Sequence, residues 1–204
     1  LLRLVINHTA AATALVTGIA TGHGGTILRS CDHVIPIRKP APNTFPRDWD
    51  ALVKPEHVHG SLYSDPSIYQ EELQKIWYRT WVYVGHESEV AKPNDYVLKS
   101  IGPEPIIMTR DKNGAIHLLH NRCPHRGNRV CMSDKGSARS FTCPYHGWTF
   151  ANDGHLRGYP FPAGYEGVDR SQLGLGKVAR VASYKGFVFG SFAGEGQTLE
   201  EHLG

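Results

Sequence analysis

Apolar side chains change their spacing along the chain, and each change predicts a different kind of element. From Asp65-Pro66 onward, Ile68, Leu73, Ile76 and Trp77 fall on one side of a helix, with Asp65 as N-cap, Pro66 as first helical residue and an end near Tyr78 to Thr80. Beyond Thr80 the apolar runs become short and alternate with turn residues. They cover Trp81 to Gly85, Asp95 to Ile101, Ile106 to Arg110, Ile116 to Leu119, Phe141, Trp148 to Phe150, Val178 to Ala182 and Phe187 to Phe192. Such runs predict the strands of a mainly β, antiparallel sandwich. Asn113-Gly114, Asp153-Gly154 and Lys185-Gly186 supply glycine where hairpins need a positive φ, and so fix strand register.

The segment before residue 46 reads differently. Ala, Thr, Gly and His dominate Thr9 to Gly25, and the proline-rich stretch from Pro36 to Pro46 reads as a linker. The apolar run within Leu1 to Ile19 is broken by Asn7 and His8 and carries no twin-arginine pair, which argues against an export signal. The expected organisation is a poorly structured or extraneous extension over 1–45, a helical lead-in over 46–80 and a β domain over 81–204. The only methionines are Met108 and Met132, and the chain is expected to be a fragment of a longer protein. Its 204 residues, 40% apolar with formal charge +3, suffice for one core. No run of eighteen apolar residues suggests a membrane span, and the modest charge speaks against nucleic acid.

Candidate chemistry concentrates in two loops. Cys123-Pro-His125-Arg126-Gly127 is followed by Cys143-Pro-Tyr145-His146-Gly147-Trp148, with seventeen residues between His125 and Cys143. Each loop offers one thiolate and one imidazole, so four ligands divide two and two between a pair of sulfide-bridged irons. Neutral imidazoles in place of two thiolates raise the potential of such a cluster from about −400 mV to between about −150 and +300 mV. Proline stiffens each loop, and Gly127 and Gly147 permit backbone geometry closed to other residues. A single zinc ion is the competing reading, although structural zinc usually pairs Cys-x2-4-Cys with His-x3-5-His. Cys31 and Cys131 are then free thiols of a reducing cytoplasm.

On these residues, with Gln70 to Trp77, Thr80 to Val90 and Phe141 to Phe150, the chain resembles the Rieske domain of aromatic-ring-hydroxylating dioxygenase alpha (large) subunits. The resemblance runs from about residue 50 to the end, and the phrasing is closest to the benzoate and anthranilate branch. Respiratory Rieske proteins carry an extra loop cysteine at positions held here by Asn128 and Tyr145. The resemblance implies a Rieske-type sandwich with cluster loops at one end and a [2Fe-2S] cluster. Its inner iron would be held by Cys123 and Cys143 and its outer iron by His125 and His146. Arg126, Gly127, Tyr145, Gly147 and Trp148 would surround the cluster, with Trp148 shielding one side. It also implies a mononuclear Fe(II) in a catalytic domain beyond Gly204, cis-dihydroxylation of an aromatic ring, a reductase or ferredoxin donor, and an alpha-subunit trimer with or without beta subunits. The chain by itself is not expected to turn over substrate. A stand-alone Rieske ferredoxin and a zinc-stabilised interaction module are the alternatives.

Arg122, Arg126, Arg129, Lys135 and Arg139 stand against one acid, Asp134, near the motif. They suit either steering of an acidic electron donor or an ordinary solvated face. Gly158 to Tyr165 reads as an irregular loop beside the cluster and a place for subunit contacts. Glu56, His57 and His59 form a compact polar set that matches no iron motif of the family and reads as a surface loop, and ordinary hydrogen bonding accounts for His117 and His120.

Overall fold

A computed structural model of the protein describes residues 47–204, so the expected N-terminal extension and Cys31 lie outside the described residues. The lead-in consists of three short helices, α1 (Trp49–Leu52), α2 (Ser61–Ser64) and α3 (Pro66–Glu72). Asp65 caps α3 by accepting from Ser67 N, and Pro66 takes the first turn, where no intrahelical partner for an N–H is needed. Arg47 reinforces the cap, donating to Asp65 Oδ2 at 3.1 Å and to Ser67 Oγ at 2.7 Å.

The apolar stripe does not hold to Trp77. After Glu72 the chain widens into a π-turn over Leu73–Trp77, which moves later side chains off the buried face. Ile68 and Leu73 are buried, whereas Ile76 and Trp77 are 54% and 37% exposed. The expectation that all four lie on one side of a helix ending near Tyr78 to Thr80 is corrected accordingly.

Ten strands follow: β1 (Val82–His86), β2 (Asp95–Ile101), β3 (Glu104–Arg110), β4 (Ile116–His120), β5 (Lys135–Ser137), β6 (Ser140–Thr142), β7 (Thr149–Ala151), β8 (Leu156–Gly158), β9 (Arg180–Tyr184) and β10 (Phe187–Ser191). They form antiparallel sheets in the orders β1-β10-β9, β4-β3-β2-β5 and β6-β7-β8. The mainly β, antiparallel architecture is as expected; among the described residues the strands fall into three sheets, and β5 and β8 were not foreseen. Both are three residues long, and β5 is Lys-Gly-Ser with no apolar position to mark it.

The central sheet is buried on both faces. Side chains alternate across a strand, so Ile106 and Met108 of β3 pack with Val84, Leu118 and Val188 toward β1 and β10. Ile107 points the other way, joining Leu119, Phe141, Phe150, Cys123 and Cys143. That second cluster ties the small sheet β6-β7-β8 and both cysteines to the scaffold. Strand β4 delivers the first cysteine loop and the β6–β7 connection is the second. Among the described residues no helix is long and apolar enough to cross a membrane.

Candidate metal centre

The two loops close in the same way. Cys123 N–H donates to Asn128 O at 2.8 Å and Gly127 N–H to Cys123 O at 2.8 Å. In the second loop, Cys143 N–H donates to Trp148 O at 2.7 Å and Gly147 N–H to Cys143 O at 2.9 Å. A turn this tight forces a left-handed residue four positions after each cysteine, where φ is +75° at Gly127 and +70° at Gly147. Only glycine adopts that region without cost from a Cβ. Gly127 has open space around its Cα, so backbone conformation alone requires it; at Gly147 a Cβ would also press to 3.3 Å from Pro160.

These turns bring the four candidate donors into two pairs. Cys123 and Cys143 are each 2% exposed, and their sulfurs lie within hydrogen-bonding reach of one another. Burial pushes the Cys123 thiol up to about 11 and the Cys143 sulfur adds to the rise, while the backbone N–H groups of His125 and Arg126 aimed at the sulfur oppose it. A thiol pair held neutral by desolvation, yet already provided with N–H donors, suits a metal that removes the protons. The imidazoles of His125 and His146 meet edge to face with centroids 4.6 Å apart. Burial, then His146 and Arg126, depress the His125 pKa, which favours the neutral ring that ligates metals.

One atom tests whether a metal group fits. His125 Nδ1 is buried without any hydrogen-bond partner, a costly arrangement for a polar atom unless something else takes its lone pair. A single tetrahedral ion would gather all four donors about one point, whereas the pairs observed are thiol with thiol and imidazole with imidazole. Two thiols on one side and two imidazoles on the other fit a binuclear cluster.

The surroundings differ in kind. Trp148 is 2% exposed and stacks on His125 at 5.2 Å with planes 4° apart. Tyr145 lies outside, 57% exposed, with its ring 3.8 Å from that of His146. The Arg126 side chain is exposed; its backbone N–H is aimed at Cys123 and its charge acts on His125. Asn121 escaped the sequence reading. Its side chain is 2% exposed, accepts from Val130 N at 3.0 Å and Cys131 N at 2.9 Å, and donates to Cys131 O at 2.7 Å, joining the two ends of the first loop. Nothing in its type or spacing marked it, because its partners are backbone groups nine and ten residues away.

Other singled-out residues lie apart from these donors. Cys131 is a buried thiol directed at Ser133 O, 3.6 Å away. Glu56, His57 and His59 are exposed, with His59 Nδ1 2.9 Å from Ser61 Oγ. His117 Nε2 bonds Asp111 Oδ2 at 2.9 Å. His120 stacks on Phe192 at 5.3 Å and 14°, and burial, aided by Arg122, brings its pKa down to about 4.

Antiparallel sheets that carry two glycine-closed Cys/His loops on one side of the core define an iron–sulfur electron-transfer domain. The chain belongs to the Rieske [2Fe-2S] domain family, which it matches over residues 80–184. It is 40% identical over 144 residues to the chlorobenzene dioxygenase subunit alpha of Cupriavidus sp. (strain PS12), covering 70% of this chain and 32% of that protein. It is 41% identical over 157 residues to the N,N-dimethyl phenylurea N-demethylase subunit alpha of Sphingobium sp. (strain YBL2), covering 76% and 33%. Among solved structures, the naphthalene 1,2-dioxygenase from Rhodococcus sp. bound to indole superposes with a TM-score of 0.69 at 38% identity, over 72% of this chain and 34% of that one. The chain thus spans about a third of the length of these curated relatives.

Proposed function

We propose that this chain is the electron-transfer module of a Rieske oxygenase alpha subunit, with Cys123 and Cys143 holding one iron of a [2Fe-2S] cluster and His125 and His146 the other. The buried, partnerless Nδ1 of His125 beside two buried thiols carries this reading. When bound, the cluster supplies one-electron storage at roughly −150 to +300 mV. The chain's own residues exclude water from the thiols, aim the His125 and Arg126 N–H groups at Cys123, and keep His125 and His146 near the surface as the port for electrons. Residues 81–204 form this unit and 46–80 its lead-in.

In the whole protein the electrons would come from an NADH-dependent reductase or a ferredoxin. They would pass to a mononuclear iron that activates O2 for cis-dihydroxylation of an aromatic ring, in an alpha-subunit trimer with or without beta subunits. The names of the relatives support an oxygenase, since they include ring dioxygenases and an N-demethylase. The reducing compartment that suits the cysteines is the cytoplasm.

Electron paramagnetic resonance of the anaerobically loaded, dithionite-reduced chain tests the ligand set. Mixed His/Cys ligation gives a rhombic spectrum with a low average g value, and a silent zinc protein would overturn the reading. Cys123→Ser and Cys143→Ser are expected to abolish iron and labile sulfide, whereas Cys131→Ser retains both. His125→Cys should lower the potential of whatever cluster it keeps, because added thiolate charge disfavours the reduced form.

A further inference from the structure

Trp148 links His125 to a distant part of the chain. It stacks on His125 and also contacts Tyr159 at 5.1 Å and 30°, while Tyr165 meets it edge-on at 5.4 Å and packs 4.6 Å from Tyr159. The Arg170 guanidinium lies 5.3 Å from the Tyr159 ring centre and donates to Arg157 O at 3.4 Å. Tyr159, Tyr165 and Arg170 all belong to the connection between β8 and β9, which folds through two 3-10 turns, Pro162–Tyr165 and Arg170–Leu173. Asp169 caps the second turn by accepting from Ser171 N at 2.9 Å, and Leu173 anchors it in the core at 3% exposure.

An imidazole turns easily about its last side-chain torsion, which has broad, roughly two-fold preferences. Metal-bound histidines are usually oriented by a hydrogen bond at the nitrogen that does not ligate. His125 has no such bond among the described residues, and its Nδ1 has no partner. The parallel Trp148 ring is therefore what fixes its plane, and Tyr159 is the ring stacked on Trp148 from outside the two ligand loops, with Tyr165 edge-on beside it.

Building on the cluster reading above, we propose that the β8–β9 connection is a buttress whose Tyr159 and Arg170 act as positioning residues, setting the plane of the His125 imidazole through Trp148. The stack replaces the hydrogen bond that would otherwise orient this ligand. Its effect is specific to His125, because among the described residues the His146 ring meets the rings of Tyr145 and His125 and no ring of the buttress.

The test uses Tyr159→Leu and Arg170→Ala, with Tyr159→Phe and Arg170→Lys as conservative restorations, in the full chain. In the cluster-free protein, NMR reads the upfield displacement that the Trp148 ring gives the His125 ring protons. It should be lost in Tyr159→Leu, reduced in Arg170→Ala and kept in both restorations. In the loaded, reduced protein, pulsed EPR reads the nitrogen couplings of the two histidines. One set should change and the other stay, and loss of iron to a chelator should accelerate roughly tenfold, the lower end of the usual cost of losing an outer orienting partner. Unchanged His125 shifts and couplings in Tyr159→Leu would overturn the proposal, as would equal change in both histidines, which would indicate general loosening. Arg170 is exposed, so its variant answers the question if Tyr159→Leu does not fold. A wild-type chain that takes up no iron and sulfide would defeat the cluster reading, while the NMR arm would still decide the buttress.

Discussion

Asn121 holds the first Cys/His loop shut with one side chain. Its amide satisfies three backbone groups of Val130 and Cys131 in a site that water does not reach. Asn121→Ala leaves those groups without partners, and a loss of about 3 kcal/mol is expected from urea unfolding. His120 gives a prediction in pH. Its folded pKa, about 4, lies below the ordinary 6.5, so the unfolded chain binds this proton first. Its contribution to stability is complete above about pH 6.5 and is lost as pH falls toward about 4, a total of about 3 kcal/mol. His120→Phe keeps a ring against Phe192 but cannot titrate, so unfolding midpoints compared at pH 7 and pH 4.5 should fall less in the variant than in wild type. An equal fall in both would remove His120 as the cause.

Among the elements, the tight hairpin between β9 and β10 was readable from Lys185-Gly186. Both residues have positive φ, +49° and +86°, between the paired residues Tyr184 and Phe187. Gly186 accepts that conformation freely, but Lys185 does not, and Asn is the residue such turns favour at its position. Lys185→Asn is expected to stabilise the chain by about 0.5–1 kcal/mol, read as a higher urea midpoint at unchanged slope. Strand β2 agrees with the boundaries its apolar run predicts, Asp95 to Ile101. The π-turn after Glu72 and the short strand β5 were not readable. The first arises where a helical stripe meets packing that spacing does not encode, and the second is held by pairing to β2 rather than by buried side chains of its own.

Across the whole molecule, the segment that carries His125 is cationic. Arg122, Arg126 and Arg129 are exposed and have no ion pair among the described residues, and the exposed Tyr145 ring lies against His146. Under the proposed function a carboxylate-rich electron donor would dock there, and reduction of the loaded chain by an acidic ferredoxin should slow about tenfold or more between low and high salt. Arg129→Glu should slow it at low salt while leaving reduction by an uncharged mediator alone. A rate indifferent to both salt and Arg129 would remove the electrostatic docking. The sequence by itself determined the candidate donor types, their division into two loops and the glycines that close them, because turn chemistry and donor chemistry are local properties of neighbouring residues. Only the tertiary structure decided that Asn121 clasps the first loop, that the central sheet is buried on both faces, and that Tyr159 and Arg170 stand behind Trp148. Those contacts join residues far apart in the chain, and no periodicity or motif records which distant side chain a fold will bring against a given ring.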